Sequence, residues 1–164
     1  MSHADKMNEM IESLTSFKQN VQEKLKREFK VVITSLFEDN PELKAIVWEQ
    51  YTPYFMDGDP CIFGVCDVAF TNATGDDLKD IHYGEYDGNN EDVCVVSTGF
   101  NPNSSWARPK DVEYSKLIDL DTCKKVGHLM LSPEMKDVML ATFGDHVRVV
   151  ATREGFSIEE HDHD

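Results

Sequence analysis

Basic side chains are scarce in this chain: 16 Lys and Arg stand against 31 Asp and Glu, a formal net charge of −15 at pH 7. A field of that sign repels phosphate backbones, so direct nucleic-acid binding is not expected. Cysteine is sparse too, with only Cys61, Cys66, Cys94 and Cys123 in 164 residues. That is far below the density of a disulfide scaffold, and the C-x4-C spacing of Cys61 and Cys66 has no second close pair to complete a zinc ribbon. Reduced thiols without structural zinc are therefore expected. No run approaches the roughly 20 apolar residues of a membrane span. The residues after Met1 are polar and lack the apolar stretch of a secretory signal, which points to the cytoplasm. Gly84, Gly88 and Gly99 are scattered, and none precedes a Lys-Ser or Lys-Thr, so a phosphate-cradling loop is missing. Without a G-x-S-x-G turn, pairing Cys94 or Ser97 with His82 or His128 is no more than chance supplies. No cofactor and no catalytic residue is expected.

What is present suits one domain over residues 1–164: hydrophobic residues make up 40% of the chain, enough for a packed core. Over 4–38, Met7, Met10, Ile11, Leu14, Phe17, Val21, Leu25, Phe29, Val32, Ile33 and Leu36 recur at spacings of three and four, which predicts one long amphipathic helix ended by Asn40-Pro41. The apolar stripe is longer than a small sheet can cover, so its outer part is expected to project and to associate with a partner or with itself as a homo-oligomer. From Leu43 the period becomes two, with Ile46, Trp48 and Gln50 on one face and Ala45, Val47, Glu49 and Tyr51 on the other. A second strand is expected over 61–70 and a short one over 93–98. Residues 112–131 read as a helix weakened near its end by Gly127. Ser132-Pro133-Glu134 opens another that stops at Gly144. Residues 147–160 form a terminal hairpin around Arg153-Glu154-Gly155. The fold class expected is α+β: a long N-terminal helix, a small antiparallel sheet, two further helices and a C-terminal hairpin.

Charge is uneven. Residues 56–113 hold 12 acidic and 3 basic groups, the densest part being Asp76, Asp77, Asp80, Glu85, Asp87, Glu91 and Asp92 with the single Lys79. This predicts a solvated loop insertion over 72–92, dispensable for folding. Asp87, Asn89 and Glu91 imitate a calcium loop but lack its Gly at position six and its Glu at position twelve. Asp57, Asp59, Asp145, His146, His161, His163 and Asp164 supply oxygen and imidazole ligands, the basis of an alternative reading as a metal-dependent hydrolase, although their spacing matches no metal motif. Tyr51, Tyr54 and Phe55, beside two prolines, are expected as an exposed aromatic ledge, with Trp48 and Phe63 in the core.

The stretch Trp48-Glu49-Gln50-Tyr51-Thr52-Pro53-Tyr54-Phe55-Met56-Asp57-Gly58-Asp59-Pro60-Cys61, with Phe143-Gly144-Asp145-His146-Val147 and the ending His161-Asp162-His163-Asp164, resembles a family of small acidic proteins of tailed bacteriophages and bacteria. Met56 stands where the family pattern often has Asn. The family brings no settled activity and hence no catalytic residue. What the resemblance implies is a context, since phages encode small acidic inhibitors of host enzymes, including DNA mimics and inhibitors of Lon-type proteases. The expected function is a non-catalytic acidic binding protein. Its partner would be a host protein with a basic surface or a protease chamber, reached through Asp76, Asp77, Asp80, Asp87, Glu91, Asp92, Tyr51, Tyr54, Phe55, Met7, Met10, Ile11 and Leu14. A virion assembly component is the remaining alternative.

Overall fold

The computed structural model describes residues 1–55 and 57–162. Helix α1 spans His3–Asp39, opened by a capping box in which Ser2 and Asp5 satisfy each other's backbone N–H groups. At its other end Asn40 donates to the Leu36 carbonyl, while the Arg153 guanidinium donates to the carbonyls of Phe37, Asn40 and Leu43 and sits 5.4 Å from the Phe37 ring centroid. The terminal hairpin thus satisfies the orphan carbonyls that any helix end leaves.

Strand β1 (Ala45–Tyr51) lies at the centre of an antiparallel sheet. It pairs on one side with β2 (Gly64–Val65) and β3 (Ala69–Thr71) and on the other with β7 (Val147–Thr152); β6 (Val95–Ser97) and β8 (Gly155–Glu160) form the edges. The strand expected over 61–70 is therefore two pieces, parted where the Asp67 carboxylate accepts the Val68 N–H. One face of β1 presents Ile46 and Trp48 to the inner end of α1, to α3 (Leu120–Leu131) and to α4 (Lys136–Phe143). Phe29, Trp48, Phe143 and Phe156 meet there, Phe29 and Phe156 stacked and the other pairs edge to face or tilted, with the Trp48 and Phe143 ring centroids 5.3 Å apart. Buried Gln50 accepts from the Trp48 indole and donates to the Met139 and Gly144 carbonyls, tying the end of α4 to the sheet.

The helix expected over 112–131 is two. Helix α2 (Pro109–Ser115) ends before Asp119, whose side chain caps α3 through Thr122 and whose N–H donates to Asn40. Gly127 serves proximity rather than termination: a Cβ there would lie 2.3 Å from Thr98 Oγ1 and 2.9 Å from its Cγ2, so α3 lies directly against the Thr98 side chain just past the end of β6.

The larger correction concerns 72–92. These residues form a 3-10 turn (Gly75–Asp80) and a two-stranded hairpin of β4 (Ile81–His82) and β5 (Glu85–Tyr86). Together they cover the other face of the sheet, where Ala45, Val47, Ala69, Val95 and Val150 pack with fully buried Ile81 and with Leu78. The segment is a third layer because Leu78 and Ile81 pack inward while most of its carboxylates face out. Both faces of β1 are buried in consequence. Among the described residues no helix is long and apolar enough to cross a membrane.

Gly127→Ala is expected to cost about 1–3 kcal/mol by overpacking against buried, β-branched Thr98, seen as a lower Tm. A Gly127→Ala protein at least as stable as the parent, as helix propensity alone would have it, would show that α3 can retreat from the sheet.

Candidate functional site

Beneath the third layer lies a buried ion pair. Glu49 and Arg148 are register partners on β1 and β7, both almost wholly excluded from solvent, with Arg148 Nε 3.8 Å from Glu49 Oε1. Such charges are tolerable only when their hydrogen-bonding capacity is filled. Here the covering layer fills it. Glu49 accepts the Tyr83 N–H at 3.0 Å and lies 3.2 Å from His82 Nδ1; Arg148 donates to the carbonyls of Leu78 and Ile81 and reaches Glu159 at 3.5 Å. The pair therefore clips the acidic layer onto the sheet.

The hairpin turn of that layer is Tyr83-Gly84, with φ of 49° and 81°. Two positive φ values in a two-residue loop match the twist of a tight hairpin, but Tyr occupies that region only under constraint. The Glu49 hydrogen bond supplies the constraint from below. From the side, Tyr83 Oη is 3.3 Å from His161 Nε2, and both Tyr51 and Tyr83 have ring centroids 5.9 Å from that of His161. Tyr51 also hydrogen-bonds to Cys66 and Tyr83, and burial foremost, then the Cys66 and Tyr83 charges, raise its pKa. Burial pushes the Cys66 thiol up to about 11 and that of Cys123 to about 12. Cys94 is raised by the same cause. These are the opposite of activated nucleophiles. His82, one imidazole considered for catalysis, turns its Nδ1 to Glu49.

Past Tyr51 the chain enters the ledge. Tyr51 is half-buried, whereas Tyr54 and Phe55 are 64% and 80% exposed, and Tyr54 stacks on His146 at 4.7 Å. The turn is pinned by Asp145, whose carboxylate accepts the Thr52 N–H and hydroxyl, both at 2.7 Å. Although burial works against it, these bonds hold the Asp145 pKa below the usual range. Asp76, Asp80, Asp87, Glu91 and Asp92 all face solvent on the third layer. Asp77 is half-buried, accepting from Asn90 at 2.8 Å and lying 3.5 Å from Tyr86 Oη. Main-chain bonds fix the segment further: Asp80 accepts from Asp87 N–H, Glu91 from Lys110, and Asp92 from Asn72.

On the far side of the layer, a cleft of about 420 Å³ runs between β5 and the 99–108 loop, lined by Gly84, Phe100, Trp106, Arg108 and Asp111. Trp106 is 92% exposed at its rim, while Arg108 is held by Asp111 through bonds of 2.7 and 2.8 Å. Acidic layer and exposed aromatics thus form one surface: the Tyr51–Tyr83–His161 contact joins the layer to the ledge, and the cleft joins it to Trp106. Met7, Met10, Ile11 and Leu14 are exposed on α1, outside this surface.

Of the metal candidates, His163 and Asp164 lie outside the described residues. Among the described residues no group of three or more His, Cys, Asp or Glu is gathered to hold a metal ion. The four cysteines are free. Glu49, Arg148, Tyr83 and Trp106 escaped sequence reasoning. A Glu in mid-strand signals a solvent face, and nothing local reveals that a segment 30 residues away covers it. No family model, curated protein or solved structure matches the chain.

Two outcomes test the site. Arg148→Met alone, leaving Glu49 buried without its counter-ion, is expected to cost about 3–5 kcal/mol, and the Glu49→Leu/Arg148→Met double variant should cost clearly less than the two singles together; additivity would refute the coupling. In mass-resolved alkylation of the folded protein at pH 8, exposed Cys61 should react first, with Cys66 and Cys123 lagging by orders of magnitude. Equal rates at Cys61 and Cys66 would contradict the raised Cys66 pKa.

Proposed function

We propose that the protein is a non-catalytic acidic binding protein, an inhibitor of a host enzyme of the kind tailed phages encode, docking on a basic protein surface such as a nucleic-acid channel. One observation carries this reading: exposed carboxylates held on a fixed layer are flanked by exposed Tyr54 and Phe55 on one side and exposed Trp106 on the other. Large aromatics in rigid settings are the side chains that anchor protein interfaces, and a charged surround steers the encounter. A charge whose only task is solubility needs no fixed positions. Here the buried Glu49–Arg148 pair and the Asp77, Asp80 and Asp92 bonds supply them.

The two contributions separate kinetically. Against a panel of a bacterial core RNA polymerase, a DNA restriction enzyme and a Lon-type protease, the expected outcome is binding to at least one, with an association rate falling roughly tenfold or more as salt rises from about 0.1 M to 1 M and the Debye length shrinks from about 10 to 3 Å. Neutralising Asp76, Asp77, Asp80, Asp87, Glu91 and Asp92 to their amides should slow association with little effect on dissociation. Tyr54→Ala/Phe55→Ala or Trp106→Ala should instead speed dissociation. Association that is indifferent to both salt and amidation would leave the acidic layer as a solubility device and defeat the proposal.

A further inference from the structure

Independently of the acidic surface, we infer that the outer part of α1 pairs antiparallel with the same segment of a second copy, making the protein a two-fold dimer joined by its arms. The arm is residues 3–24: every residue through 21 is exposed, and the first side chain to pack on the body is Leu25. It is nevertheless helical to His3 and closed by the Ser2–Asp5 capping box. Helices in proteins draw most of their stability from a covered apolar face. The face exists. Met7, Met10, Ile11, Leu14, Phe17 and Val21 are 38–71% exposed, and nothing among the described residues covers them.

Three features select a second copy of this chain, in antiparallel orientation. First, apart from Met10, whose mirror position is Lys18, the stripe is symmetric about Leu14: Met7 and Val21 lie seven residues to either side and Ile11 and Phe17 three. A two-fold axis at Leu14 brings each half onto the other, as an isologous interface requires. Second, charge is divided along the arm. Residues 3–14 hold Asp5, Glu9 and Glu12 with Lys6, whereas 15–24 hold Lys18 and Lys24 with Glu23. Antiparallel pairing sets the acidic half beside the basic half, and parallel pairing sets like beside like. Third, residues 1–24 carry 3 basic and 4 acidic groups, so the remainder carries 13 against 27, or −14. A parallel pair would place two such bodies side by side. An antiparallel pair centred on Leu14 holds them about 33 Å apart at 1.5 Å per residue, several times the Debye length of about 8 Å at physiological salt. The arm's own length also matches the overlap, since His3 of one copy then falls opposite Leu25 of the other, where the body begins.

The test uses the full chain. Sedimentation equilibrium should show a reversible dimer of twice the 18.7 kDa chain mass. Leu14→Asp/Phe17→Asp should weaken it roughly a hundredfold or more, with the near-UV circular dichroism of the body unchanged. Nitroxides on the N-terminal amines of the dimer should be separated by on the order of 40 Å, against less than about 15 Å for parallel arms. Each of three results overturns the inference: a monomer from micromolar to millimolar concentration, which would leave the arm to a different partner; a dimer indifferent to Leu14→Asp/Phe17→Asp, whose contact lies elsewhere; or a short nitroxide distance. None of these bears on salt-dependent binding through the acidic layer.

Discussion

A carboxylate and a guanidinium facing each other across β1 and β7, shut off from water, constrain the rest of the functional surface. Neither Glu49 nor Arg148 can be buried unless a covering layer satisfies it. The layer that does so is the most acidic part of the chain, resisting close approach to anything anionic. The main-chain groups of Leu78, Ile81 and Tyr83 resolve the conflict by facing inward to the pair. Most of the carboxylates of the same segment remain hydrated outside. Burial of Ile81 and Leu78 against Val47 and Val150 adds the apolar part of the attachment.

One layer therefore does two opposed things. Its inner side is core, and its outer side is a set of negative charges at fixed places. Tyr83, held in a left-handed conformation by Glu49 below and His161 beside it, is the point at which this layer meets the aromatic ledge. The arm of α1 obeys different physics. Its first apolar side chain packed on the body is Leu25, and its stripe is apolar where the layer is charged. Two exposed elements of unlike chemistry thus belong to one small body, and salt would act on contacts through them in opposite senses: screening weakens charge attraction, while apolar burial is kept or strengthened.

Signals confined to one element were legible in the sequence. Unbroken spacing from Met7 to Leu36 marks α1, Asn40-Pro41 marks its end, and the alternation of Ile46 and Trp48 against Ala45 and Val47 marks β1. The hairpin around Arg153-Glu154-Gly155 follows from the same local chemistry. Signals that depend on a distant partner misled. Gly127 reads as a helix weakness when the reason for glycine is Thr98 on another element. Residues 112–131 read as one helix although Asp119 caps α3 locally through Thr122; what the pattern could not show is that Asn40, 79 residues away, holds the Asp119 N–H. The density of carboxylates between Asp76 and Asp92 reads as loop, because composition counts side chains without showing which way the main chain turns.

The sequence by itself determined the α+β class, the long helix and its terminator, the central strand, the terminal hairpin and the negative charge. All of these follow from interactions a few residues in range, in which periodicity and capping speak for themselves. Only the tertiary structure decided that the acidic segment is a layer, that Glu49 and Arg148 lie beneath it, and that Tyr51, Tyr83, His161 and Trp106 turn separate stretches of chain into one surface. Burial is the physical reason. Whether a polar side chain faces water or a partner depends on what folds over it, and that cover comes from residues that local pattern cannot connect.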